Sequence, residues 1–303
     1  MFDYKKIIKS RAARLTILRL LSFVPDKLML KLQYRIQLGK KLNLKDPKRF
    51  TEKLQWYKLY YKNPIMVQCV DKFDVRDYVK EKGLNEILIP CYGVFTSVND
   101  IKWEQLPNSF VMKDTLGGGG VSVKIVKNIK NTSIDSLEKC AKRWMEKSVH
   151  KRDGGREWPY YHGKNHRIMF EKMITEPDNP NGLLDYKFFC FDGKTEFLYV
   201  MGNRKIGDSV CVNIYDRDFN LLPVQRVGDK PLQNIYKPDN YEEMRAIAEQ
   251  LASDFPHVRV DLYDINNRVY FGELTFYNAS GYMQYEPDEF DISVGEKFHL
   301  IKY

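Results

Sequence analysis

Apolar side chains along the 303-residue chain follow a helical period at one end and a strand period further on. Over residues 4–44, Ile7, Ile8, Leu15, Leu18 and Leu21, then Leu28, Leu32 and Ile36, recur at three- and four-residue steps, the spacing of one helix face. Pro25 before Asp26, and Asp46 before Pro47, interrupt this pattern and predict two helices; a third begins at Phe50 with Thr51 as its N-cap. A helix through Asp71, Lys72 and Arg76 leads to the apolar run 87–90, which reads as a strand. Residues 110–113 and 121–126 read as strands joined through Gly117, Gly118, Gly119 and Gly120, followed by a helix over 133–147 and a strand over 166–171. A hinge is placed over 171–174, before the loop at 177–182. The last third predicts strands over 185–191, 196–201 and 210–215 and a helix over 241–255. Its closing hairpin, 258–263 with 269–276, turns on Asn266 and Asn267, which tolerate positive φ. The alternation predicts a mixed α and β fold.

Composition sharpens this. With 43% hydrophobic residues the chain can bury a proper core. The net charge of +9 is uneven: residues 1–60 carry 16 Lys or Arg against 4 Asp or Glu, a net of +12, so the remainder carries 9 − 12 = −3. That distribution argues against a nucleic-acid-binding surface along the whole chain. The basic amphipathic helices of residues 1–44 suit either packing on the body with a solvated basic face or peripheral contact with an anionic membrane through cations such as Lys5, Lys6, Arg11 and Arg14. No stretch reaches the roughly 20 apolar residues of a membrane span. The odd number of cysteines, Cys69, Cys91, Cys140, Cys190 and Cys211, without a CxxC pair, fits reduced thiols in a cytoplasmic setting, with the inner membrane face as a peripheral location.

Candidate chemistry falls in two places. The glycine run follows a strand ending in Lys113 and returns into another strand, unlike a P-loop or a dinucleotide fingerprint, both of which open a helix. Backbone N–H groups in such a hairpin can approach phosphate oxygens closely, with the lysine adding charge. Near the C-terminus, Arg259, Asp261, Glu273 and Thr275 lie on the two strands of one hairpin, where Asp261 and Glu273 can face the same side. Paired carboxylates of this kind suit magnesium, whose shell phosphate oxygens and water complete. None of the five histidines has metal-ligand spacing.

Asp71-Lys72, Lys113 with its glycine loop, the run Phe170-Glu171-Lys172-Met173-Ile174, Asp185-Tyr186-Lys187-Phe188, Arg259-x-Asp261 and Glu273-x-Thr275 follow the order of ATP-grasp motifs. More closely, the segment from Pro47 to Trp56, Arg156-Glu157-Trp158, Phe189-Cys190-Phe191-Asp192-Gly193-Lys194 and Phe271-Gly272-Glu273-Leu274-Thr275-Phe276 resemble the TupA-like branch of that superfamily, over residues 46–290. The resemblance implies an α+β ATP-grasp fold, two α+β units gripping ATP behind a helical N-terminal module. The boundaries it implies are a basic helical module at 1–66, an α/β segment at 67–107, a lid at 108–175 and a metal-binding unit at 176–303. It implies Lys72 and Lys113 on phosphates and Gly117 to Gly120 closing over them; Arg204, read from its place just after a strand, is a candidate for an anionic substrate or the phosphates. Adenine would lie against Glu171, Lys172, Met173 and Ile174, ribose against Asp185, and Mg²⁺ on Asp261, Glu273 and Thr275. Arg259 and Lys113 would be the catalytic cations. One departure stands out: the family's third metal ligand is an Asn two residues after the Glu, where this chain has Thr275. Asn278 lies three further on and could substitute only where the backbone turns.

The implied activity is carboxylate–amine ligation through an acylphosphate in bacterial surface or capsular polysaccharide biosynthesis. Its partners would be an acidic small molecule or glycan and an amine-bearing acceptor. Three alternatives stay open: a glycosyltransferase using a sugar nucleotide at Asp216-Arg217-Asp218, a formal DxD that also reads as a turn; an ATP-dependent phosphotransferase; and a non-catalytic binding module.

Overall fold

The computed structural model describes residues 17–18, 20–118, 122–146, 155–163, 165–176, 179–203 and 210–301. Most of the first predicted helix lies outside that set. The second, α1 (Asp26–Leu38), buries Leu30, Tyr34 and Leu38 with Leu42 and Leu44 and ends on Gly39 at φ +70°, a left-handed cap suited to glycine.

In α2 (Phe50–Tyr60) the N-cap is Arg49, which corrects the expectation of Thr51. Phe50 is drawn into an aromatic cluster with Phe189, Phe191 and His257, so the helix starts there and Thr51 falls inside its first turn. The Thr51 hydroxyl and N–H instead donate to Asp291 at 2.7 and 2.9 Å, and Glu52 accepts the N–H groups of Asn43, Lys48 and Arg49. Asp291 belongs to the last helix (Glu289–Lys297), which is thereby tied to α2.

Asp71 ends α3 (Ile65–Val70), and its carboxylate accepts the N–H groups of Phe73 and Asp74 at 2.9 and 3.0 Å before α4 (Val75–Glu81). The expected strand at 87–90 is displaced. Ile87 closes a 3-10 turn, Leu88 and Ile89 are buried without a ladder, and Pro90 has no N–H to give one. Their carbonyls are met singly, Ile89 by Arg76 and Pro90 by the Lys172 N–H.

The strand begins instead as β1 (Cys91–Phe95). With β2 (Phe110–Asp114), β3 (Val123–Val126) and β4 (Ile168–Glu171) it makes an antiparallel sheet of order β1-β4-β2-β3, so the small sheet recruits one strand from before residue 108. Phe110, Met112, Ile168 and Phe170 pack against Leu137, Ala141 and Trp144 of α5 (Ile134–Met145). Alternation then puts Lys113 and Glu171 on the opposite face.

A second antiparallel sheet, order β10-β9-β5-β6-β7, comprises β5 (Asp185–Phe191), β6 (Lys194–Gly202), β7 (Cys211–Asp216), β9 (His257–Ile265) and β10 (Arg268–Thr275). Two-residue strands β8 (Gln225–Arg226) and β11 (Tyr285–Glu286) pair beside it. Helix α6 (Tyr241–Ala252) covers the face of Phe188 and Cys190. The other face carries Asp185, Lys187, Arg259 and Asp261. At the end of β7, Asp216 opens a turn: its carboxylate accepts the N–H groups of Asp218 and Asn220 and the Asn220 side-chain amide, all at 2.8–2.9 Å.

His257 in this core supplies a testable pH dependence. Its Nδ1–H donates to the Cys190 carbonyl at 2.9 Å, Nε2 has no partner among the described residues, and phenyl rings surround it. Burial, with Arg259 adding to it and the Cys190 carbonyl opposing, lowers its pKa from 6.5 to about 3. The unfolded chain therefore takes up a proton below about pH 6.5 that the native state refuses until about pH 3, and stability falls with acidification by ~1.4 kcal/mol per pH unit. Urea unfolding at pH 7, 6 and 5 should show this slope in the wild type and its loss in His257→Phe; equal slopes would contradict it.

Candidate functional site

The closing hairpin turns on Asn266 and Asn267 at φ +53° and +58°, and its two-residue loop sets Phe271 opposite Leu262. Continued without interruption, this register would set Gly272 opposite Asp261 and turn Glu273 to the reverse face. A bulge at Gly272 prevents that, so Glu273 pairs with Asp261 and Thr275 with Arg259. A Cβ at Gly272 would lie 2.9 Å from the Asp261 carbonyl oxygen, which is why the bulge needs glycine.

The result is a convergence of oxygens on one cation. Arg259 donates twice to Asp261, both at 2.7 Å, and at 3.0 Å to Glu273 and to the Thr275 hydroxyl, which in turn donates to Glu273. Its remaining amino group meets the Asn278 side-chain oxygen. Buried Asn278 reaches this point three residues after the end of β10, and Ala279 and Ser280, at φ +44° and +52°, turn the backbone immediately beyond it. From the adjacent strand, Lys187 lies opposite Asp261 and bridges it to Asp185, 2.7 Å from the latter.

Electrostatics follow from this packing. Burial favours a neutral Glu273, but Arg259, Lys187 and Lys72, with the Thr275 hydroxyl, outweigh it and hold the carboxyl at about 2. Its side chain remains 42% exposed, so this is the carboxylate open to a ligand. Asp261 is enclosed, and burial beside Asp185 and Glu273 raises it despite the two cations. Burial also works against the Arg259 charge, yet Asp261 and Glu273 leave its pKa raised.

Lys72 joins this hairpin to the small sheet. Its N–H donates to the Thr115 carbonyl at 2.9 Å and its ammonium to the Gly117 carbonyl, while Glu273 is among the charges acting on it. Desolvation lowers its pKa. Lys113 pairs with Glu171, which Arg76 approaches at 3.8 Å. Gly117 is a close approach, since a Cβ there would meet the Ser122 Cβ at 2.6 Å; Gly118 has open space. Lys172, Met173 and Ile174 are irregular backbone after β4, and Asp185 is buried. Gly119, Gly120 and Arg204 lie outside the described residues.

Two contributors, Lys187 and Arg76, were not anticipated. Lys187 carried a signal, a cation two residues from Asp185 in a strand otherwise made of aromatics and a cysteine, hence on the same face. Arg76 offered none beyond helical spacing. Asn278, expected to reach the site only where the backbone turns, does meet Arg259. Among the described residues no group of three His, Cys, Asp or Glu is arranged to hold a metal. The oxygen-only set of Asp261, Glu273, Thr275 and Asn278, gathered on a guanidinium, nevertheless has the chemistry a hard divalent cation requires.

The family model described as TupA-like ATPgrasp matches residues 52–299. No curated protein matches the chain. Among solved structures, a D-alanine–D-alanine ligase from Bacillus anthracis is 18% identical, covering 69% of this chain and 57% of its own, with a TM-score of 0.41. A D-alanine–D-alanine ligase from Helicobacter pylori is 14% identical over 82% of this chain and 68% of its own, TM-score 0.41. A biotin carboxylase from Campylobacter jejuni is 16% identical over 78% and 48%, TM-score 0.42. The chain thus spans little more than half the length of the first of these.

Proposed function

The chain belongs to the TupA-like ATP-grasp family, and on that premise we propose that it is an ATP- and magnesium-dependent ligase joining a carboxylate to an amine. Its setting in this reading is the assembly of a bacterial surface or capsular polysaccharide, with a uronic or other acid as one substrate and an amino acid or amino sugar as the other. The observation that carries the ligase reading is the gathering of Asp261, Glu273, Thr275 and Asn278 oxygens at one cationic point within the electrostatic reach of Lys72.

Bound ATP with magnesium supplies the phosphoryl group that activates the acid as an acylphosphate for attack by the amine. In this reading Asp261 and Glu273 hold the metal, with Thr275 and Asn278 as neutral oxygen donors. Lys72 and Lys113 neutralise phosphate oxygens, and Gly117 lets backbone approach them because no side chain intervenes. Glu171, Lys172, Met173 and Ile174 border the adenine and Asp185 the ribose. Arg259, fixed by four partners, steadies charge on the transferring group without reorganising. No side chain forms a covalent intermediate; the protein positions and neutralises.

A sugar-nucleotide reading is weakened at Asp216, whose oxygens are occupied by the turn. Incubation with ATP, magnesium, hydroxylamine and a panel of uronic acids and amino acids tests the ligase. Acid-dependent ADP release together with a hydroxamate is expected. ADP release with a phosphorylated acceptor and no hydroxamate would replace ligation by phosphotransfer.

A further inference from the structure

Five of the 13 exposed large hydrophobic residues among the described ones fall within 16 positions: Ile17, Leu20, Phe23, Leu28 and Leu32, with Phe23 79% and Leu20 70% exposed. Scattered singly such residues need no explanation, but five crowded into one short stretch of sequence do. From this group and its flanking charge we propose that Ile17, Leu20, Phe23, Leu28 and Leu32, with Lys27, Lys31 and Arg35, form a docking surface for an anionic lipid bilayer.

The segment is anchored on its other side. Met29, Leu30, Gln33, Tyr34 and Leu38 are buried, which leaves Lys27, Leu28, Lys31, Leu32 and Arg35 outward. At 100° per residue these five span ~140° of the helix, with the cations at 0°, 40° and 80° and the leucines at 100° and 140°. A cationic stripe therefore runs beside an apolar one, the arrangement of helices that lie in the bilayer interface. Just before it, the buried Arg156 guanidinium donates to the carbonyls of Leu21 at 2.7 Å and Val24 at 3.0 Å and to the Asp26 carboxylate at 2.9 Å. Phe23 is thereby held projecting from a clamped turn.

Charge selects the occupant. Residues 1–60 carry a net +12, and each cation near an anionic leaflet adds attraction while its alkyl stem lies along apolar surface. A second copy of the chain, docked by two-fold symmetry through the same surface, would set this cationic stripe against itself. No helix among the described residues is long and apolar enough to cross a membrane, so the contact is interfacial.

The test is co-sedimentation of the full chain with vesicles of phosphatidylglycerol and phosphatidylcholine, or phosphatidylcholine alone, at 0.1 and 0.5 M NaCl. The wild type is expected on the anionic vesicles only, more weakly at high salt. Leu28→Glu with Leu32→Glu should lower partitioning at least tenfold, as should Phe23→Glu alone, whereas Tyr236→Glu, equally exposed but remote in sequence, should leave it unchanged. Thermal melts of the variants matching the wild type exclude misfolding. Absence of wild-type binding, or equal binding by the double variant, overturns the proposal. So does a lipid-free wild-type dimer that the double variant converts to monomer, which would reassign the surface to self-association.

Discussion

Glu273→Gln is expected to lower magnesium-dependent turnover of ATP by ~10²–10³-fold while the protein stays folded. Glu273 is the half-exposed carboxylate of the converging set, held ionised at about 2 by Arg259, Lys187 and Lys72. Glutamine keeps the shape and an oxygen toward Arg259 but removes the charge through which a divalent cation would be held; losing several kcal/mol of charge stabilisation corresponds to that factor. Raising magnesium should recover part of the rate, since the lesion lies in metal occupancy. Steady-state ADP release at 1 and 20 mM magnesium measures both effects, and a variant within threefold of wild type would remove Glu273 from the site.

Arg259→Ala should show its largest effect in stability. The guanidinium is the cation against which Asp261, Glu273, Thr275 and Asn278 are arranged, and its removal leaves Asp261 buried with Lys187 as its remaining cationic partner. Breaking a buried ion pair from one side costs ~3–5 kcal/mol. Arg259→Lys restores the charge without the forked geometry and should recover only part of that loss. Urea unfolding of the three proteins at pH 7 measures this; a change below about 1 kcal/mol for Arg259→Ala would mean that the carboxylates are satisfied without it.

Where periodicity was strong the sequence was legible. Residues 185–191 form the strand read from them, and the closing hairpin turns on Asn266 and Asn267 as their tolerance of positive φ implied. That Asp261 and Glu273 share a face was also read correctly, but a plain two-residue hairpin would have separated them. The bulge at Gly272 makes the arrangement work, and a glycine inside a strand was its available sign. The run 87–90 misled because buried apolar residues before a proline look the same in a strand and in an irregular core segment. Thr51 misled because a tertiary partner, Asp291, outweighed a local cap. Asn278 opens a turn in which Ser280 and Gly281 carry the turn signal, whereas Ala279, left-handed at φ +44°, carries none.

The most direct test of the central claim is calorimetric titration of ATP into the wild type, Lys113→Ala and Glu273→Ala, with and without magnesium. Binding that requires magnesium in the wild type and is weakened at least tenfold in both variants is the predicted result. Failure of ATP to bind, with binding of a UDP-sugar instead, would contradict it.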